Sequence, residues 1–114
     1  MINYTKSNDS EVDYYEIGPA DLSNGERLFV EIDSKPFVVV NIAGQYFAIG
    51  DVCSHDDGPL GDGILDDHRI VCPRHGAEFD LRNGKAMTMP AVVDIPAYPI
   101  KSEDGKLFVG IPRN

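Results

Sequence analysis

Both cysteines of this chain and two of its three histidines fall in two short segments: Cys53-Ser54-His55 and, sixteen residues later, Cys72-Pro73-Arg74-His75. In extended chain, residues two apart point the same way, so Cys53 and His55 can face one target. Proline is favoured at the second position of a tight turn, and a turn at Pro73 brings Cys72 and His75 close. Each segment therefore offers one soft thiolate and one borderline imidazole.

Three readings of that set compete. A structural zinc site also takes two Cys and two His, but it usually pairs like with like on separate knuckles. The interleaved order suits a two-iron centre in which one iron takes thiolates and the other imidazoles. The third reading is no metal at all, with two buried cysteines and two polar loop histidines. Matched turns flanked by Asp and Gly argue against it.

The two segments with the following Gly76 resemble the C-x-H…C-x-x-H signature of the Rieske [2Fe–2S] family. The resemblance runs from about Tyr14 to Val109. It includes Gly58, Leu60 and a Met89-Pro90-Ala91 stretch where the family has its cluster-covering proline loop. It implies one [2Fe–2S] cluster, with Cys53 and Cys72 on one iron and His55 and His75 on the other. Imidazole ligation makes such centres easier to reduce than all-cysteine ones. High-potential respiratory members carry a Ser and a Tyr hydroxyl where this chain has Ala77 and Phe79, and an extra Cys pair that this chain lacks. All three departures point to a low-potential, ferredoxin-type centre, because hydrogen bonds to sulfur stabilise the added electron.

The elements that must position these loops read as strands. Tyr14, Tyr15 and Ile17 suggest a first strand, followed by a turn, or one helical turn, at Asp21–Gly25. Leu28, Val30 and Ile32 alternate with Phe29 and Glu31, the pattern of a half-buried strand. Residues 37–42 are apolar on both faces, which predicts a central strand. Gly44-Gln45 turns that run into Tyr46–Ile49, which delivers the chain to Cys53. Arg69–Val71 leads into Cys72, and Asp66-Asp67-His68 reads as a hairpin tip with His68 exposed. Asn83-Gly84 signals a further hairpin. Val92–Ile95 and Tyr98–Lys101 are expected to return to the sheet, and Asp104-Gly105 to turn into Leu107–Val109. Gly76 is expected to permit close backbone approach, placing an N–H near a sulfide.

The fold class is therefore all-β. The resemblance implies a Rieske-type fold, with antiparallel sheets forming a base sandwich or barrel and a small cluster-binding subdomain at about 50–88. Residues 1–12 read as a flexible leader and 13–112 as one domain, in keeping with 114 residues.

The formal net charge of −9 argues against nucleic acid and anionic membrane as partners. Asp51, Asp56, Asp57, Asp62, Asp66 and Asp67 surround the loops, opposed mainly by Arg69 and Arg74. They read equally as a solvated acidic face or a docking edge. No apolar run is long enough to span a membrane, and no secretory signal is visible. With both cysteines assigned to metal, a reducing cytoplasm is expected. No flavin or dinucleotide motif appears, so the chain is expected to be no enzyme in itself. The resemblance implies a one-electron carrier, a monomer, between a flavin-containing reductase and a terminal oxygenase. The alternatives are a small subunit of an assimilatory nitrite reductase and a non-redox metal-binding module.

Overall fold

The computed structural model describes residues 12–54, 58–73, 76–88 and 93–113. Its strands are β1 (Val12–Pro19), β2 (Arg27–Ile32), β3 (Lys35–Ile42), β4 (Gln45–Gly50), β5 (Ile64–Asp66), β6 (Arg69–Val71), β7 (Glu78–Asp80), β8 (Ala97–Tyr98), β9 (Ile100–Glu103) and β10 (Lys106–Pro112). They form a four-stranded sheet β2-β3-β4-β8 and two three-stranded sheets, β1-β10-β9 and β5-β6-β7. Every pairing is antiparallel. The first ladder starts with Val12 opposite Pro112, one residue inside the expected leader. Among the described residues no helix is long and apolar enough to cross a membrane.

Strand β3 explains the layering. Successive side chains of a strand point to opposite faces, yet Val38, Val39 and Val40 are all 0% exposed. Val39 packs with Ala48, Leu107 and Val109 in one core. Val38 and Val40 pack with Ile49, Cys53, Leu60, Ile70, Cys72 and Phe79 in a second core. The four-stranded sheet is thus a wall with an apolar core on each side. One core faces β1-β10-β9, and the other faces β5-β6-β7 and the two cysteines.

Two-residue turns set the registers. Asp33-Ser34, Ala43-Gly44 and Asp104-Gly105 all have positive φ, the twist-matched hairpin geometry. Gln45 pairs with Ile42, so that turn sits one residue earlier than Gly44-Gln45. No helical turn forms at 21–25; Asn24-Gly25 is a plain turn, in which Glu26 N–H donates to Ser23 O at 2.9 Å. Strand β5, unanticipated in the sequence, pairs Asp66 with Arg69 across Asp67-His68.

Two further expectations fail for physical reasons. Residues 93–95 do not form a strand, and Val92 lies outside the described residues. Instead Asp94 Oδ1 accepts from Ala86 N–H at 2.8 Å and Ile95 N–H donates to Gly84 O at 2.8 Å. The chain rejoins the wall only where Gly50 N–H donates to Pro96 O at 3.0 Å. Side-chain acceptors of this kind compete with a ladder. His68 is half-buried rather than exposed, because its ring stands edge-on to Phe47 with centroids 5.7 Å apart.

The β7 turn carries a charged lock. Asp80 accepts from Arg82 N–H at 2.9 Å, Nε at 3.0 Å and Nη2 at 3.0 Å. The Arg82 side-chain bond holds the Asp80 carboxyl below its ordinary range, against the opposing effect of burial. A carboxyl depressed in the folded state stabilises the fold above its unfolded value, about 3.9, and that contribution fades as pH falls through the lower folded value. Asp80→Asn is therefore expected to cost about 1–3 kcal/mol at neutral pH. Urea melts should show the difference from the parent shrinking below about pH 4.

Candidate metal centre

The wall delivers the first ligand loop directly. After β4, Asp51 N–H donates to Pro36 O at 3.0 Å, which fixes the exit from the sheet. Cys53 follows, 0% exposed, and its N–H donates to Gly58 O at 2.7 Å. The second loop leaves β6 in the same manner. Cys72 is 1% exposed, and its N–H donates to Ala77 O at 2.7 Å. In both loops the cysteine N–H is joined to the carbonyl five residues on. His55 falls inside the first closure by sequence and His75 inside the second, but both lie outside the described residues.

Both cysteines belong to one buried apolar cluster with Leu60, Ile70, Ala77 and Phe79, and no disulfide joins them. Two thiols brought into one core from two loops of matched closure fit a group that takes a thiolate and an imidazole from each loop. Among the described residues alone no three His, Cys, Asp or Glu converge on a metal position.

Gly76 owes its place to conformation. Its φ is +77° and its N–H donates to Cys72 O at 3.0 Å, which closes the turn. Ala77 and Phe79 are both 0% exposed and apolar among the cysteines' neighbours. The Met89–Ala91 stretch lies outside the described residues, but its flanks are anchored. Thr88 Oγ1 accepts from Glu78 N–H at 3.0 Å, and Ser54 Oγ donates to Val93 O. Ser54 thus ties the first ligand loop to the far side of that stretch.

The acidic edge divides. Asp62, Asp66 and Asp67 are exposed as a solvated face, whereas Asp56, Asp57 and Arg74 lie outside the described residues. Arg69 is engaged with Glu78 at 3.1 Å. Asp51 is half-buried, and its Oδ1 accepts from Leu60 N–H at 2.8 Å and Gly61 N–H at 2.6 Å. On the other side of that segment Arg27 Nη1 donates to Gly61 O and Gly63 O, each at 2.6 Å. Neither role was foreseen in the sequence. The available signal was an Asp at the end of a strand two residues before a candidate ligand.

Comparison with known proteins agrees with this geometry. A family profile described as "Rieske [2Fe-2S] domain" matches residues 13–99. The 3-phenylpropionate/cinnamic acid dioxygenase ferredoxin subunit of Escherichia coli (strain K12) is 38% identical over 101 residues, 87% of this chain and 93% of that protein. The ferredoxin of carbazole 1,9a-dioxygenase from Nocardioides aromaticivorans IC177 superposes with a TM-score of 0.81 at 26% identity, covering 88% of this chain and 98% of that one. A chain in a complex of reduced oxygenase and oxidized ferredoxin in carbazole 1,9a-dioxygenase gives a TM-score of 0.81 at 25% identity, over 89% of this chain and 95% of that one.

Two glycines near the loops should respond differently to a methyl group. A Cβ on Gly63 would stand 1.9 Å from the backbone oxygen of Val71, which cannot swing away. Gly63→Ala is expected to cost at least about 3 kcal/mol. Among the described residues a Cβ on Gly76 would meet nothing within 4 Å, so Gly76→Ala should cost only about 1–2 kcal/mol for its left-handed backbone. Thermal melts of the two variants check the order.

Proposed function

Because the chain belongs to the Rieske [2Fe–2S] family, we propose that it is a ferredoxin component that takes single electrons from a flavin-containing reductase and delivers them to a terminal oxygenase. It carries one Rieske-type [2Fe–2S] cluster. Its role is electron transfer and not catalysis, in keeping with relatives named as ferredoxin subunits of dioxygenases. When bound, the cluster supplies a one-electron couple, and its imidazole ligands set it above all-cysteine centres in potential.

The observation that carries the reading is the burial of Cys53 and Cys72 in one apolar core by two loops of matched closure. Cys53 and Cys72 hold one iron in this reading, and His55 and His75 hold the other. Around the cysteines Leu60, Ile70, Ala77 and Phe79 exclude water. None of those four side chains carries a hydroxyl, in keeping with a centre at the low end of its class. Residues 50–88 act as the cluster-binding part of a single domain at 13–112. A monomer in a reducing cytoplasm suits a chain whose cysteines both serve as ligands. The net charge of −9 favours encounter with basic surfaces on the reductase and the oxygenase.

The test is direct. Anaerobically purified protein should be red-brown, contain two iron and two acid-labile sulfide per chain, and give a Rieske-type EPR signal after dithionite. Colourless protein with stoichiometric zinc defeats the reading. Reduction by a candidate flavoprotein, followed by reoxidation on adding an oxygenase, tests the two partners. In Ala77→Ser/Phe79→Tyr, hydroxyls enter the buried apolar shell. The midpoint potential should rise by roughly 40–90 mV, the equivalent of about 1–2 kcal/mol for one electron. Voltammetry showing a fall or no change contradicts the hydrogen-bond account.

A further inference from the structure

The segment Leu60–Gly63 lies between the two ligand loops and belongs to no strand. Irregular backbone at a buried position must still satisfy its polar groups, and here the partners are identifiable. Leu60 O accepts from Gly63 N–H at 2.9 Å. The N–H groups of Leu60 and Gly61 converge on Asp51 Oδ1, and the carbonyls of Gly61 and Gly63 converge on Arg27 Nη1. One carboxylate oxygen and one guanidinium nitrogen therefore grip the segment from opposite polarities. Charge-assisted bonds of this kind are roughly twice as strong as neutral ones.

Both grips belong to the central wall. Arg27 opens β2 opposite Val40, and Asp51 is fixed to Pro36 O at 3.0 Å where β4 ends. The gripped segment has no slack on its other side. A Cβ on Gly61 would meet the Phe29 ring at 2.4 Å, and one on Gly63 would meet Val71 O at 1.9 Å. Leu60, at its head, is 0% exposed in the cluster that contains Cys53 and Cys72. Two residues before it, Gly58 O receives the Cys53 N–H.

We propose that Arg27 and Asp51 are positioning residues: a clamp of opposite charges that holds Leu60 against the buried cysteines and so limits the access of water to the sulfur end of the centre. The proposal rests on the cluster-carrying reading above. Its distinguishing consequence is a sign. Removing a nearby cation makes an added electron less favourable, so charge alone predicts that loss of Arg27 lowers the potential. Opening the sulfur side to water changes the second determinant, solvent exposure. Water stabilises the extra negative charge, so loss of the clamp raises the potential.

The test uses the loaded protein and four variants. Wild-type visible and EPR spectra are the control, because a wild type without a cluster defeats the functional reading and not the clamp. Arg27→Met keeps the apolar stem, and Asp51→Ala removes the acceptor. Both are expected to lose visible absorbance to a chelator about tenfold faster than wild type or more, and Arg27→Met should show a raised midpoint potential. Asp51→Asn removes the charge but retains an oxygen acceptor, and its bleaching rate should fall between those of wild type and Asp51→Ala. Val109→Ala, in the opposite core, reports on stability alone. The clamp is overturned if Val109→Ala at matched melting temperature bleaches as fast as Arg27→Met. It is equally overturned if Arg27→Met bleaches at the wild-type rate with a lowered potential, or if Asp51→Asn bleaches as fast as Asp51→Ala.

Discussion

The molecule is organised by the requirement that β3 be covered on both faces. A run of three fully buried valines cannot lie at the surface of a sandwich without exposing alternate side chains to water. Each apolar side chain left uncovered forfeits about 1.5–3 kcal/mol. The chain meets this demand with two different covers, one a regular sheet and the other the β5-β6-β7 lobe with its two loops. The cysteines are therefore constituents of a core and not additions to a surface. Whatever perturbs Val38, Val40 or Ile49 also perturbs the packing of Cys53 and Cys72.

The second demand is electrostatic. Loops that carry metal ligands are irregular, and their buried N–H and C=O groups lack the ladder partners that strands supply. Here the demand is met repeatedly: cysteine N–H donates to a carbonyl five residues on, Ala86 N–H to Asp94, Glu78 N–H to Thr88 and Ser54 Oγ to Val93 O. Charged side chains take part where the backbone turns most sharply, as Asp80 and Arg82 do after β7. The acidic residues of this region thus serve two physical purposes. Asp51 and Asp80 are structural acceptors, whereas Asp62, Asp66 and Asp67 face solvent.

Much of this could be read from residues alone, because the signals were local. Two Cys and two His at fixed spacing announced the family, two-sided apolarity announced β3, and Asp-Gly and Asn-Gly announced turns. What escaped depended on partners distant in sequence. Arg27 reaches Gly61 and Gly63 across more than thirty positions, a pairing that no pattern along the chain encodes. His68 does sit at its hairpin tip, but its expected exposure fails because Phe47, distant in sequence, packs beside its ring. The apolar run at Val92–Ile95 suggested a strand, yet Ile95 N–H donates to Gly84 O and Asp94 accepts from Ala86 N–H where a ladder would have paired. In short segments, long-range hydrogen bonding outweighed local preference.

The Gly50–Pro96 hydrogen bond has an implication for how such chains diversify. The backbone leaves the wall at Gly50 and comes back beside the same rung at Pro96, so the segment between them begins and ends at one place on the wall. Joining ends that already touch costs little extra entropy as the intervening length changes, only about 0.6 kcal/mol for each doubling. Length can therefore change cheaply in the parts of that segment that face solvent, whereas Leu60–Gly63, held by Arg27, and the side chains packed on Val38, Val40 and Ile49 tie the rest to the wall.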